Sequence, residues 1–386
     1  MSKRRRYDVA VVGAGAGAFG AWTALHLRRR GRKVALLDAY GPGHSRSSSG
    51  GEMRIIRMGY GPDELYTRFA LRAMKLWRQF AHRSKEHLFL RTGMLWLARR
   101  QDRYPRETLR TLTRLGVPCE KLSRAELGRR FPQFSFRGVD WGLFEPEAGV
   151  LLARHAVQAV AGQAAAEGVE YIGEAVEMPR LGSRLDWIVT NTGRRVVADA
   201  FVFACGAWLP NLLPHTAGKR LFPSRQEVFF FSVARGSSRY GPPAMPAWYS
   251  FADKLYGIPD VENRGIKLGF DAHGPRFNPE TADRLVSQRG LRAMRAHLRR
   301  YFPELGDAPL AEARVCAYEN TSNGDFLIDR HPGCENAWIA GGGSGHGFKH
   351  APAVGEYVAG VICGDRRPEP RFAYAAKETI QARKVY

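Results

Sequence analysis

A strand, a glycine turn, a helix and a second strand stand near the start of the chain, and this unit constrains the fold more than any other segment. Residues 7–12 form an apolar run rich in β-branched side chains, and glycines follow at once. The pattern then predicts a helix over 21–30 and a second strand over 34–37. This order is typical of the α/β fold that binds dinucleotides.

The turn itself has the spacing G-x-G-x-x-G/A, with Gly13, Gly15 and Ala18 at the three small positions. The first glycine makes the tight turn, the second lets the backbone approach a pyrophosphate, and a small third residue lets the helix pack against the strand. Asp38 follows about 20 residues later, where a carboxylate accepts hydrogen bonds from ribose hydroxyls. A glycine-rich turn alone is often only a tight connection, but the complete unit predicts a dinucleotide site. Its place at the amino terminus favours FAD over NAD.

The charge of the chain raises a different class of function. The 386 residues include 59 Lys and Arg against 37 Asp and Glu, a net charge of +22, and basic proteins attract nucleic acid. The arginines are scattered in pairs and triplets, without a nucleic-acid-binding motif, so we predict no nucleic-acid partner. Polar residues and glycines interrupt the apolar segments before about 20 residues, which predicts no membrane span.

The cysteines bear on compartment and metal binding. The five are far apart, without paired metal-ligand spacing and without the even framework of secreted proteins. We therefore expect reduced thiols, a cytoplasmic protein and no metal site.

A polar loop over 45–57 contains Ser48, Arg54 and Arg57, and its hydroxyl and amide groups suit phosphates or a flavin ring. If residues 54–57 are helical, both arginines lie on one side and a guanidinium can bind a substrate carboxylate through two hydrogen bonds. The alternative is a surface loop with solvated arginines. The spacing does not separate the two interpretations.

A second glycine-rich segment, 341–349, includes Gly345, His346, Gly347 and Lys349. Its glycines let backbone approach a ligand closely, and a predicted helix from about 351 to 363 follows, whose amino terminus favours negative charge. This arrangement suits an anionic reduced flavin. The alternatives are a flexible connector and, for the lysine, an ordinary surface residue.

Two residues have no signal of their own. Cys316 lies in a predicted strand and is by default a small buried hydrophobic residue. Lys267 lies in another predicted strand and is by default an outward-facing residue. Their spacing alone gives neither of them a catalytic role.

We predict an α/β (α+β) protein with a Rossmann-like FAD-binding domain and a second, mostly antiparallel β-sheet domain that binds substrate. The FAD-binding domain is discontinuous and covers 1–85, 145–220 and 320–386. The substrate domain covers 86–144 and 221–319, where aromatic strands and one amphipathic helix near 284–301 suggest a separate layer.

Taken in order, short motifs along almost the whole chain resemble the monomeric sarcosine oxidase and N-methyltryptophan oxidase family, within the D-amino-acid oxidase group. Several such motifs in one order are more specific than any one alone. They are the turn at 13–18, Arg-Ile-Ile-Arg at 54–57, Phe144-Glu145-Pro146 with Gly149-Val150, Gly206-Ala207-Trp208, Tyr256-Gly257, Lys267-Leu268-Gly269, Val315-Cys316 and the segment 345–349.

The resemblance implies roles on the flavin side of a site. Cys316 corresponds to the cysteine that forms a thioether to the flavin's 8α carbon, which implies covalent FAD. Lys267 corresponds to the lysine near the place where oxygen is reduced, since a fixed cation stabilises developing negative charge. Arg54 corresponds to a basic residue near the flavin, and His346 belongs to the flavin loop.

The resemblance also implies a substrate side. Arg57 and Lys349 correspond to the pair that holds the substrate carboxylate, and Tyr256 to a pocket residue. One position departs from the family: sarcosine oxidases have a pocket histidine where this chain has Asp271. An aspartate there can pair with a cationic substrate group or with a neighbouring arginine, so sarcosine itself is in doubt as the substrate.

The predicted activity is oxidation of the C–N bond of a small secondary amine or N-methyl amino acid to an imine, with oxygen reduced to hydrogen peroxide by a monomeric enzyme. The alternative within the same fold is a dehydrogenase that passes electrons to a carrier other than oxygen. A third class, a basic nucleic-acid-binding protein with a structural nucleotide fold, fits less well because the fingerprint is complete.

Overall fold

The computed structural model describes residues 6–13 and 18–382. Gly15, predicted to bind the cofactor, lies outside these residues. In chain order the strands of the described residues are β1 (Arg6–Val12), β2 (Val34–Leu37), β3 (Met53–Ile56), β4 (Phe89–Leu90), β5 (Met94–Ala98), β6 (Glu120–Ser123), β7 (Trp141–Glu145), β8 (Gly149–Leu152), β9 (Glu170–Ile172), β10 (Trp187–Val189), β11 (Arg195–Phe203), β12 (Phe222–Phe231), β13 (Ala247–Ser250), β14 (Leu255–Ile258), β15 (Ile266–Phe270), β16 (Leu310–Asn320), β17 (Leu327–Arg330) and β18 (Ala337–Gly341).

The α-helices of the same residues confirm the helices predicted near 21–30, 284–301 and 351–363. They are α1 (Ala18–Arg29), α2 (Glu64–Ser84), α3 (Arg103–Arg114), α4 (Arg124–Arg130), α5 (Ala153–Ala166), α6 (Leu209–Leu212), α7 (Gln288–Tyr301) and α8 (Ala351–Cys363). A short 3-10 turn, Phe348–His350, leads directly into α8. In this part of the chain no helix is long and apolar enough to span a bilayer.

The first sheet has the order β17-β18-β11-β1-β2-β9, and β10 joins the edge of β11. Its central strands are parallel, as expected where helices connect neighbouring strands. Helix α1 links β1 to β2 and packs between α5 and α8. The two strands predicted at the start of the chain, β1 and β2, therefore lie inside this sheet, and the predicted helix α1 packs against them.

The second sheet has the order β16-β12-β15-β14-β13-β5-β7-β6, and all its pairs are antiparallel except β13 with β5. Along β12 the side chains alternate between its two faces. Phe229 and Phe231 pack with Met294 of α7, whereas Val228 and Phe230 point to the opposite face, which lines a cavity. The sheet thus has one face in a hydrophobic core and the other on the candidate site.

The fold class is confirmed, since a mostly parallel sheet and a mostly antiparallel one occur in the same chain. The helical interpretation of 54–57 is wrong. Residues 53–56 are a strand because Ile55 and Ile56 pair with Val150 and Gly149 of β8, and the two arginines do not share a helix face. The domain boundaries stay a prediction.

Candidate active site

A cavity of about 220 Å³ lies between the two sheets. Its walls come from the loop before β3, from β12, β14, β15 and β16, and from the glycine-rich segment before α8. Twelve of the residues singled out in the sequence line it: Ala18, Ser48, Arg54, Arg57, Tyr256, Lys267, Asp271, Cys316, Gly345, His346, Gly347 and Lys349. The fold therefore brings together segments that are more than 300 positions apart in the chain.

Gly13 and Asp38 lie next to this cavity but do not line it. Gly13 has a φ of 78°, and a Cβ there would lie 2.5 Å from the Cα of Cys205, so both conformation and space require glycine. The carboxylate of Asp38 is buried and accepts a hydrogen bond from the Gly41 amide at 2.8 Å. Burial raises the pKa of Asp38, although three backbone amides oppose this effect.

The loop before β3 is held against β16 by polar contacts. The Arg54 guanidinium donates to the Ser48 carbonyl at 2.5 Å and lies 3.7 Å from the Cys316 sulfur. The Ser48 hydroxyl donates to the Ala317 carbonyl at 2.8 Å. Arg54 is partly buried against these groups, so the interpretation of a solvated surface loop is wrong. The predicted thiol and its neighbouring cation face one cavity.

Lys267 is buried in the wall opposite this loop, and its side chain is 2% exposed. The default interpretation of an outward-facing strand residue is therefore wrong. Its Nζ donates to the Met53 carbonyl at 2.9 Å and lies 6.0 Å from the centre of the Tyr256 ring. Burial, followed by the charge of Arg54, lowers the pKa of Lys267 well below its ordinary value.

Arg57 and Lys349 converge on one tyrosine. The guanidinium carbon of Arg57 lies 4.5 Å from the ring centres of both Tyr60 and Trp96. The Lys349 Nζ donates to the Tyr60 hydroxyl at 3.0 Å and to the His346 carbonyl at 3.1 Å. Burial, followed by Arg57, lowers the pKa of Lys349 well below its ordinary value. Arg57, a permanent cation, and Lys349, a buried amine that a bound anion helps to protonate, thus face one cavity, which favours an anionic ligand.

Glu145, for which no role was predicted, holds this end of the site. It is fully buried, and its carboxylate accepts hydrogen bonds from the Met58 amide at 2.8 Å and from the Trp96 indole at 2.7 Å. The Gly59 amide also donates to it. Burial raises the pKa of Glu145 against the effect of these donors and of Arg57. Glu145 therefore fixes the backbone that follows Arg57. The motif Phe144-Glu145-Pro146 was the sequence feature that could have pointed to this role.

The histidines of the glycine-rich segment also contact Tyr60. His346 Nδ1 lies 3.2 Å and His350 Nε2 lies 2.6 Å from the tyrosine hydroxyl. His350 was not predicted; burial, followed by Lys349, lowers its pKa well below the ordinary value, which keeps the imidazole neutral. Gly345 has a φ of 79°, and a Cβ there would lie 2.7 Å from the Tyr318 ring.

Asp271 follows β15 and faces the cavity. Its two carboxylate oxygens accept hydrogen bonds of 3.4 Å from the hydroxyls of Tyr249 and Tyr318. In the described part of the chain no arginine forms an ion pair with it; of its two predicted partners, the arginine is therefore not seen there, and a cationic substrate group stays a prediction. Lys349 acts on it only through a longer electrostatic interaction.

The site also contains no metal cluster within the described ranges, where no group of three or more His, Cys, Asp or Glu residues is arranged to hold an ion. The chemistry of its donor set is that of buried cations, one thiol, tyrosines and a carboxylate. Such a set binds an organic anion and holds charge in place.

Comparison with known proteins places this arrangement in a family. The family model described as FAD dependent oxidoreductase matches residues 8–361. A monomeric sarcosine oxidase of Streptomyces avermitilis is 33% identical over 361 residues, which cover 92% of each chain. An N-methyl-L-tryptophan oxidase of Salmonella heidelberg is 29% identical, over 93% of this chain and 95% of the other.

Solved structures show the same fold at lower identity. An L-proline dehydrogenase from P. horikoshii has a TM-score of 0.82 and 22% identity, over 96% of this chain and 98% of the other. A fructosyl peptide oxidase mutant has a TM-score of 0.83 and 23% identity, over 98% and 96%. Because the family model spans nearly the whole chain and a relative above 30% identity covers it at similar length, the chain belongs to the FAD dependent oxidoreductase family.

Proposed function

We propose that the protein oxidises the C–N bond of a small secondary amine or N-methyl amino acid to an imine and reduces oxygen to hydrogen peroxide. One observation carries this proposal. Arg57 and Lys349, which suit a carboxylate, face the same cavity as Cys316 and Lys267, which suit the flavin and oxygen. The relatives described above, a sarcosine oxidase and an N-methyl-L-tryptophan oxidase, support such a substrate.

The residues present fit FAD. The glycine turn at Gly13 and the amino terminus of α1 suit its phosphates, and Asp38 suits its ribose. Gly345 lets the glycine-rich segment pack closely on Tyr318 at the cavity wall, because a Cβ there would meet that ring. Three further residues, Ser48, His346 and Gly347, line the same cavity, so we propose that they contact the flavin. Bound FAD supplies the two-electron acceptor that the side chains lack.

The substrate side follows from charge. Arg57 and Lys349 bind the substrate carboxylate, and a bound anion restores the proton of Lys349 that burial disfavours. The reacting nitrogen has to be neutral to give up electrons. We propose that Asp271 pairs with a second, basic group of the substrate, because its carboxylate faces the cavity on two tyrosine hydroxyls. Tyr256 forms the apolar wall between Lys267 and this carboxylate.

Lys267 serves oxygen reduction in this proposal. Burial and Arg54 disfavour its charged form in the resting site. Negative charge that develops beside it stabilises the ammonium form, so the side chain delivers a localised positive charge where it is needed. The imine leaves the site and hydrolyses in water.

The activity is tested by measuring peroxide under air with sarcosine, cyclic imino acids, glycated amino acids and Nα-methylarginine. We expect peroxide in equal amount to the amine consumed, and faster turnover of Nα-methylarginine than of sarcosine because of Asp271. Amine consumption that needs an artificial electron acceptor and gives no peroxide would instead favour the dehydrogenase.

Replacing Lys267 with Met should slow reoxidation of the reduced enzyme by oxygen by about 100-fold, because one positioned charge is lost. Reduction by substrate should change much less. Stopped-flow absorbance separates the two half-reactions. The exposed Lys75→Met is the matched control, and equal effects of Lys267→Met on both half-reactions would contradict the role.

A covalent flavin on Cys316 should keep its yellow colour in the pellet when the purified protein is precipitated with acid. Cys316→Ala should release the colour into the supernatant, because the only proposed attachment is removed. Cys205→Ala, at the buried thiol beside Gly13, should leave the colour in the pellet. A colourless pellet from the unmodified protein would refute the linkage.

Replacing Asp271 with Asn should raise KM for Nα-methylarginine by about tenfold to one-hundredfold, the loss expected for a hydrogen bond between charged groups. The KM for sarcosine, which has no second basic group, should not rise. Steady-state peroxide assays give both values, and Asp307→Asn at an exposed ion pair serves as the control. A parallel rise for both amines would show that the carboxylate does not select a cationic group.

A further inference from the structure

Glu319 near the end of β16 is a buried acid to which no role has been given. Its side chain is 8% exposed, and it lines the cavity beside the glycine-rich segment. The Gly343 amide donates to its Oε2 at 3.5 Å, and the Ser344 amide donates to its backbone carbonyl at 2.9 Å. Among the described residues no hydrogen-bond partner meets its Oε1. A buried oxygen without a partner is costly, which points to a group that binds there.

The surroundings of Glu319 lie at the dinucleotide turn. A Cβ on Gly341 would approach Glu319 Oε1 to 2.5 Å, so the strand β18 runs directly against the carboxyl. Glu319 also interacts electrostatically with Cys205, and the Cα of Cys205 would lie 2.5 Å from a Cβ on Gly13, the first glycine of the turn. The acid therefore lies against the last residue of β18, and Cys205 stands between it and Gly13.

Among the described residues, none of the groups that shift the pKa of Glu319 is positively charged. Burial raises its pKa to about 8, and the amides of Gly343 and Gly342 only partly oppose this effect. The titratable group that interacts with it is Cys205, whose pKa burial raises, with Glu319 and Asp38 adding to the rise. The pKa of Asp38 is itself raised by burial. At neutral pH the Glu319 side chain is mainly the neutral acid, which has a hydrogen to donate.

We infer that Glu319, as the neutral acid, binds FAD directly by donating a hydrogen bond from its carboxyl to a diphosphate oxygen. The turn beside it is the element that faces phosphates in dinucleotide folds. A neutral acid is a donor to an anion, whereas a carboxylate at the same place repels it. This inference rests on the cofactor of the family and not on the identity of the amine.

The sign of the pH dependence follows from this bond. FAD binds the protonated form, so its affinity is full at pH values well below 8 and falls as pH rises through the pKa of Glu319. One proton is involved, which gives at most about a tenfold loss per pH unit. An ionised carboxylate that accepted a hydrogen bond from a ribityl hydroxyl would give the opposite sign.

The test measures the affinity of the apoprotein for FAD by flavin fluorescence between about pH 6.5 and 9.0. This range extends roughly one pH unit or more on each side of the raised pKa of Glu319, so both protonation states are sampled. The Cys316→Ala variant is the parent, so that binding is reversible whether or not the thioether forms. We expect the parent Kd to rise about tenfold over this range. Adding Glu319→Gln, which keeps a neutral donor, should leave the Kd low and independent of pH. Adding Glu319→Ala should weaken binding about tenfold at the lowest pH.

Three outcomes would each overturn the inference. The Gln variant keeps the pH dependence of the parent, the Ala variant binds FAD as the parent does at every pH, or the affinity of the parent for FAD increases with pH. If the variants do not fold, phosphorus NMR of FAD bound to the parent decides, because its diphosphate resonances should titrate with Glu319; resonances that do not move refute the bond. None of these measurements uses amine turnover, so a wrong substrate proposal leaves the result interpretable.

Discussion

Buried basic side chains are the constraint on which the rest of this site depends, because burial disfavours their charged forms until an anion binds. Arg57, Lys267 and Lys349 are each at least nine-tenths buried around one cavity, where cations lack the water that normally stabilises them. The fold offsets this cost only in part, through carbonyl acceptors, aromatic faces and the buried carboxylate of Glu145. The remaining imbalance is the driving force for binding anions. In the function proposed above, the anionic cofactor and the substrate carboxylate are the groups that would correct it.

The two sheets contribute different parts of the site. The parallel sheet contributes mainly backbone groups, at tight glycines and helix amino termini, together with the buried carboxyl of Asp38 at a strand end. The antiparallel sheet supplies long side chains, and its alternation places apolar residues in the core and Lys267 and Cys316 on the cavity. Neither sheet holds a complete site. The chemistry arises where the cavity-facing side of one meets the loops of the other.

Much of this was accessible from sequence because it depends on local pattern. The dinucleotide unit and the helices α1, α7 and α8 follow from periodicity and turn chemistry. The burial of Lys267 in β15 could not be predicted from the sequence, because it depends on a strand more than 200 positions away that offers the Met53 carbonyl. Residues 54–57 were ambiguous for the same reason: Arg-Ile-Ile-Arg is short enough to be helix or strand, and pairing with β8 decides. Glu145, His350 and Glu319 owe their importance to partners far along the chain.

Strand β16 has a consequence beyond the residues on it. Within four positions it carries Cys316, Tyr318 and Glu319, which face different parts of one cavity, and its pairing with β12 continues for the strand's whole length. A shift of one residue in that pairing would exchange the two faces of the strand. Thiol, aromatic wall and acid would then be lost together. The register of this β-ladder therefore fixes the positions of several cavity residues at once. An insertion in the strand would displace all of them, whereas a single change such as that at Asp271 alters one side chain of the cavity.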